Sequence, residues 1–191
     1  MLKSLLLCLS LMLPVSALAE EPATAATKPQ VIIHTSEGDI TLQLFADKAP
    51  VTVANFLEYV DSGYYNGTIF HRVIPNFMIQ GGGFLPDMVQ KATNDAIVNE
   101  SKNRLHNTRG TIAMARTNDP DSDTSQFFIN LRSNLQLDWA PGREGYTVFG
   151  EVIEGLEVVD FIATAPTGRV GPMGDVPLET ILIKEIKRSE P

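Results

Sequence analysis

The segment from Phe70 to Gly83 contains the residues best suited to chemistry. It reads FHRVIPNFMIQGGG, so Arg72 stands among apolar side chains and a glycine run, with no nucleophile and no acidic residue. Arginine supplies a permanent charge and a rigid set of N–H donors, and Phe77 and Met78 can line an apolar pocket beside it. This combination favours straining a neutral, partly apolar amide over cleaving it.

Hydrolytic chemistry and a histidine metal site both lack support. His71 and Ser125 invite comparison with a hydrolase triad, but no Gly-x-Ser-x-Gly or other nucleophile signature surrounds Ser125. The histidines at His34, His71 and His106 are widely spaced, which gives a metal site built on them little support.

A calcium loop is also disfavoured. Asp119, Asp121 and Asp123 alternate like the opening of such a loop. The match then fails, because Thr124 stands where glycine is needed and Asn130 where the bidentate glutamate belongs. We interpret the segment as an ordinary polar loop and expect no bound metal.

The first 19 residues have the features of a cleavable secretory signal. Lys3 precedes an apolar stretch from Leu5 to Val15, and the small-residue ending Ala17-Leu18-Ala19 follows. The stretch is shorter than the roughly 20 residues that span a bilayer. The sequence therefore predicts export, a mature chain starting at Glu20 and no membrane insertion after the signal is removed.

Net charge limits the classes of partner that the chain can bind, and cysteine content limits its disulfides. The 191 residues carry a formal net charge of −8, and removal of Lys3 with the signal takes it to −9. With no basic cluster in the chain, nucleic acid and anionic membrane surfaces are disfavoured as partners. Cys8 is the only cysteine and is lost with the signal, so the mature chain cannot form a disulfide.

Residues 20–30 are rich in Ala, Thr, Pro and Glu without apolar periodicity, which predicts a flexible leader. About 172 residues remain after cleavage, enough for one domain with a substantial core. We expect that domain to span residues 31–188. No long heptad or additional domain suggests assembly, so we expect a monomer.

The remaining pattern predicts a mostly β fold with two helices. Pro50 opens a helical stripe that Gly63 closes, and a second stripe runs from Leu156 to Ala163. The β-type runs are short and separated by turn residues; they are Val31–Thr35, Asp39–Phe45, Ile69–Ile74, Phe77–Gly81, Gly110–Ala115, Gln126–Asn130, Val148–Val152 and Thr180–Lys187. About eight strands without βαβ alternation indicate a closed antiparallel sheet capped by helices.

Several motifs together resemble cyclophilins, the family of peptidyl-prolyl cis-trans isomerases. The resemblance covers roughly Val31 to Arg188 and is greatest to the periplasmic bacterial branch. The motifs are Phe70-His71-Arg72-Val73-Ile74-Pro75, Phe77-Met78-Ile79-Gln80-Gly81-Gly82, Ile112-Ala113-Met114-Ala115-Arg116, Ser125-Gln126-Phe127-Phe128-Ile129 and Val148-Phe149-Gly150.

The resemblance implies an eight-stranded antiparallel barrel closed by two helices, with the site on its outer face. It implies a cofactor-independent isomerase that acts on X-Pro bonds of exported proteins folding in the periplasm. The alternative is a non-catalytic holdase or proline-peptide binding module that uses the same groove only to grip extended chains.

The resemblance also assigns roles to residues. Arg72 matches the catalytic arginine, and Gln80 the residue that steadies it. Matches to the substrate-binding positions are Phe77, Met78, Phe128 and Leu137 in the proline pocket, Ala115, Arg116 and Gln126 in the groove for residues before the proline, and Tyr146 at the pocket edge, where many members carry histidine.

Three positions depart from the family pattern. Gln136 replaces the tryptophan that many members carry before Leu137, so the indole donor that holds cyclosporin is absent there, and we predict weak cyclosporin binding. Trp139, three residues on, offers a substitute if it swings into the gap. Gly83 replaces a frequent aspartate, which we expect to alter a local turn and not the chemistry. Arg116 replaces asparagine, and a substrate contact through the backbone would make that change minor.

Overall fold

The computed structural model describes residues 28–189, and their fold is a closed antiparallel β-barrel. Its eight strands are β1 (Gln30–Thr35), β2 (Asp39–Leu44), β3 (Thr68–Ile74), β4 (Met78–Gly81), β5 (Thr111–Met114), β6 (Phe127–Asn130), β7 (Val148–Glu154) and β10 (Leu182–Arg188). Around the barrel they follow the order β1-β10-β3-β4-β6-β5-β7-β2. The expected fold class is confirmed.

The two helices close the barrel. Helix α1 (Pro50–Asp61) starts with proline at its first turn, and Gly63 adopts a left-handed φ of +68° just beyond its end, as the sequence predicts. Its Phe56 packs against Tyr65, Phe127 and Phe149, with ring centroids 5.2–5.8 Å apart. Helix α2 (Leu156–Ile162) buries Val159 and Ile162. The barrel interior is therefore filled with side chains and forms no channel.

Two further strands were not predicted from the sequence. β8 (Thr167–Val170) and β9 (Met173–Pro177) form a separate antiparallel hairpin that lies beside β3. The hairpin contains three glycines and two prolines, which are residues typical of turns. The alternation that marks a half-buried strand is consequently missing from this segment.

The N-terminal predictions fall mainly on residues 1–27, which lie outside the described part of the chain. Gln30, the last residue of the predicted leader, pairs with Gln43 as the first residue of β1. Within residues 28–189, no helix is both long and apolar enough to cross a bilayer.

Asp123 is buried in the loop before β6. Its backbone carbonyl accepts a hydrogen bond from Ile97 N at 2.9 Å, but neither carboxyl oxygen has a partner among the described residues. Burial raises the pKa of Asp123 to about 7, against the opposing charge of nearby Arg116. Between about pH 4 and pH 7, the folded chain keeps a proton on Asp123 that the unfolded chain has already released. The free energy of unfolding therefore falls as the pH rises through that range.

We predict that Asp123→Asn stabilises the fold increasingly as the pH rises, because the amide never acquires the buried charge. The gain in free energy of unfolding over the native chain should grow by roughly 2–3 kcal/mol between pH 5 and pH 8. Urea denaturation of both proteins at several pH values measures it, and a gain that does not change with pH would contradict the prediction.

Candidate active site

A cavity of about 180 Å³ opens on the outer face of the barrel. It is lined by nine of the ten site residues predicted from the sequence, namely Arg72, Phe77, Met78, Gln80, Ala115, Arg116, Phe128, Leu137 and Tyr146. The tenth, Gln126, lies beside it and is hydrogen-bonded to Gln80. The structure thus brings together residues that are spread over 75 positions of the chain, from 72 to 146.

The floor of the cavity follows from strand register. Arg72 pairs with Gln80, Gln80 with Phe128, Phe128 with Ala113 and Ala113 with Val148, so one row crosses five neighbouring strands. Because side chains alternate between the two faces of a strand, the row projects outward while its sequence neighbours fill the barrel.

Apolar side chains of this face form a cluster separate from the barrel core. Met78, Ala113, Phe128 and Val148 are buried in it, and Phe77, Leu137 and Tyr146 are partly buried around them. The rings of Phe128 and Tyr146 meet edge to face, with centroids 5.6 Å apart. The result is a socket with an apolar floor and an open side, suited to a small aliphatic ring.

Arg72 is the cation at the edge of this socket. Its side chain is 43% exposed, and its Nε lies 3.7 Å from Oδ2 of Asp175 on β9. That distance is longer than a charge-assisted hydrogen bond, so the guanidinium is restrained without being locked. Asp175 was not predicted as part of the site, because it lies in the hairpin that the sequence pattern did not reveal.

His71 is buried, contacts the Phe84 ring with centroids 4.6 Å apart, and does not line the socket. Burial lowers the pKa of His71 to about 4, and the charge of Arg72 acts in the same direction. The imidazole is therefore neutral at pH 7. Ser125 donates its hydroxyl hydrogen bond to the Tyr64 hydroxyl at 3.2 Å. These contacts give no sign of a hydrolase triad, and residues 28–189 contain no cluster of three His, Cys, Asp or Glu side chains able to hold a metal.

Gln80 and Gln126 form an amide pair beside the socket. Gln80 Nε2 donates to Gln126 Oε1 at 3.0 Å. Gly83 makes this arrangement possible, because a Cβ at that position would lie 2.4 Å from Gln126 Cγ. An aspartate at position 83 would displace the Gln126 side chain, so the glycine found there affects the amide pair as well as a local turn. The steadying role assigned to Gln80 stays a prediction, since the hydrogen bond recorded for its amide is to Gln126.

Arg116 builds the rim of the site through its side chain. Its guanidinium donates to the carbonyl oxygens of Gly145, Glu144 and Thr117 at 2.8–3.1 Å. The same group lies 4.6 Å from the Tyr146 ring centroid, a cation–π geometry. These contacts use three of the five N–H donors of the guanidinium. A substrate contact through the backbone of Arg116 stays a prediction.

Gln136 lies in the exposed 3₁₀ turn Leu135–Leu137. Trp139 does not fill the space left by the missing tryptophan. Its ring lies 6.0 Å from Lys102 Nζ and lines a neighbouring depression with Leu105 and His106, apart from the residues that line the socket. The Trp139 indole therefore provides no hydrogen-bond donor to the socket.

Comparison with known proteins gives concordant results. The family model "Cyclophilin type peptidyl-prolyl cis-trans isomerase/CLD" matches residues 30–188. Peptidyl-prolyl cis-trans isomerase A of Dickeya dadantii is 55% identical over 173 residues, covering 90% of this chain and 91% of that protein. Peptidyl-prolyl cis-trans isomerase B of Escherichia coli is 54% identical over 164 residues, covering 84% and 99%.

A solved structure shares the fold. The crystal structure of a Cryptosporidium parvum cyclophilin-type peptidyl-prolyl cis-trans isomerase aligns with a TM-score of 0.74 and 31% identity, covering 86% of this chain and 99% of that one. A second crystal structure of that protein, in the presence of the dipeptide Ala-Pro, aligns with a TM-score of 0.73 and 32% identity.

We predict that Gly83→Ala displaces the Gln126 side chain and separates the amide pair, with little effect on the melting temperature because a flexible side chain yields. Loss of one hydrogen bond, worth about 0.5–1.5 kcal/mol, should lower kcat/KM for an Ala-Pro peptide roughly 2- to 10-fold. Gln126→Ala is the matched control, and the double variant should be no worse than either single variant. Additive losses would contradict this role for Gly83.

Proposed function

We propose that this chain, which belongs to the cyclophilin-type peptidyl-prolyl cis-trans isomerase family, uses Arg72 and the adjoining socket to accelerate rotation about X-Pro bonds of exported proteins. Family membership makes the chain a peptidyl-prolyl cis-trans isomerase. The roles of individual residues and the exported clients are the proposed part.

The chemistry requires no nucleophile. Rotation about a peptide bond is slow because resonance gives the C–N bond double-bond character, with a barrier of about 18–20 kcal/mol. At the twisted transition state this resonance is broken, and the proline nitrogen becomes pyramidal with a lone pair. A guanidinium that donates to this nitrogen stabilises the twisted state more than the planar one.

Magnitudes show that Arg72 needs the socket. A turnover on the order of 10³ per second corresponds to a barrier of about 13 kcal/mol, so roughly 5–7 kcal/mol of the uncatalysed barrier must be removed. One charge-assisted hydrogen bond contributes about 1.5–3 kcal/mol net. We assign the remainder to a socket that holds the proline ring still while the preceding carbonyl rotates, and to exclusion of water that solvates the planar amide.

The observation that carries the proposal is the single cross-strand row that joins Arg72 to the apolar floor at Phe128. The cation and the ring socket are thereby fixed to the same wall of the barrel. The Cryptosporidium relative crystallised with Ala-Pro supports a proline-containing peptide as the ligand.

The predicted signal in residues 1–19 supports export, and the similarity to Escherichia coli isomerase B supports a bacterial setting. We place the mature protein in the periplasm, acting as a monomer on folding polypeptides. Uncatalysed X-Pro isomerisation takes tens to hundreds of seconds, slow enough to limit folding.

We predict that Arg72→Ala lowers turnover of an Ala-Pro test peptide at least tenfold, because the transition state loses its charged donor. NMR exchange spectroscopy on the mature protein measures the turnover. Suppression of client aggregation should persist in the variant, since the groove remains. Unchanged turnover would remove Arg72 from its proposed role, whereas a native chain with no measurable turnover would favour the holdase alternative.

We predict that cyclosporin binds weakly and that Gln136→Trp tightens its binding roughly tenfold, the effect of one hydrogen bond with the indole of about 1.4 kcal/mol. Position 136 is exposed, so the larger ring should be tolerated. Calorimetric titration of both proteins measures the affinities. Tight binding by the native chain would contradict the prediction.

A further inference from the structure

We propose that Asp175 is a positioning residue that orients the Arg72 guanidinium toward the proline socket. The inference rests on the proposed function, in which Arg72 is the catalytic donor. It concerns a residue of the β8–β9 hairpin, which lies beside β3 and outside the barrel.

The contact is made at one particular edge of the guanidinium. Asp175 Oδ2 approaches Nε of Arg72, at 3.7 Å. A carboxylate on that edge leaves the two terminal NH₂ groups available to the substrate. Among residues 28–189 it is the one ion pair recorded for Arg72, while the neighbouring amide of Gln80 is engaged by Gln126.

A β-bulge directs the carboxylate. Gly168 pairs with Val176 and Val170 with Met173, so Gly174 and Asp175 together oppose one residue of β8. Asp175 adopts a φ of +60°, in the left-handed region that aspartate and asparagine tolerate better than other side-chain-bearing residues. Bulges next to active sites commonly re-aim a side chain, and a residue held in such a conformation points to a role for it.

The hairpin is anchored well enough to hold a charge in place. Val176, next to Asp175, is buried, and together with Ile69 and Phe70 of β3 it lines one depression. The two charged side chains are themselves 43% and 48% exposed. Water therefore weakens their attraction, so the pair biases the direction of Arg72 without immobilising it.

The direct test is Asp175→Asn, which removes the charge and keeps a residue that tolerates the positive φ. Glu179→Gln is the matched control, because it removes an exposed carboxylate shortly after β9. We expect Asp175→Asn to lower kcat for an Ala-Pro peptide about 3- to 10-fold with KM nearly unchanged, and Glu179→Gln to behave like the native chain. Added salt should lower kcat in the native chain and leave Asp175→Asn unaffected, which a merely structural role does not predict.

Combination with Arg72→Ala separates this inference from the proposed function. In the Arg72→Ala background, Asp175→Asn should cause no further loss. If Arg72→Ala itself keeps full turnover, the proposed function and the inference both fail. If Arg72→Ala is impaired but Asp175→Asn matches Glu179→Gln, or lowers turnover equally with and without Arg72, the inference alone is overturned.

Discussion

The orientation of Arg72 depends on a β-bulge in β3. Phe70 pairs with Gly81 and Arg72 with Gln80, so β3 carries one extra residue, His71, between these pairs. In a regular strand Phe70 and Arg72 would project from the same face. The bulge instead lets Phe70 remain in the barrel core while Arg72 reaches the outer surface. The cation of the site exists as a surface group because of this single irregularity.

The rest of the site is built on regular pairing from that point. Gln80, Phe128 and Ala113 follow Arg72 across the wall, and the apolar cluster forms where their side chains meet those of Met78 and Val148. Core packing on the inner face fixes the register, since a slip of one residue would exchange the two faces. The same barrel wall therefore stabilises the fold with one set of side chains and carries the proposed substrate site with the other.

Much of the fold could be predicted because its signals are local. Pro50 and Gly63 bound α1 as expected, and the barrel strands were placed to within about two residues. The hairpin β8–β9 was missed because its glycines and prolines indicate turns. The bulges in β3 and β9 could not be predicted from the sequence, because each depends on how the strand pairs with its neighbour.

The sequence predicted which residues form the candidate site but not the contacts between them. The resemblance supplied ten positions, and the cavity joins nine of them. The contacts that orient them join residues far apart in sequence, such as Gln80 with Gln126 and Arg72 with Asp175. Gly83 acquires its importance only once the Gln126 side chain is seen to lie against it.

The central claim is that a positive charge at position 72 stabilises the twisted imide. Replacing Arg72 by citrulline, a neutral group of nearly the same shape, tests this claim most directly, with kcat and peptide affinity both measured by NMR exchange. The account predicts at least a tenfold lower kcat, corresponding to about 1.4 kcal/mol, with peptide affinity unchanged within about twofold. An unchanged kcat would show that the charge of this residue is not what accelerates the rotation.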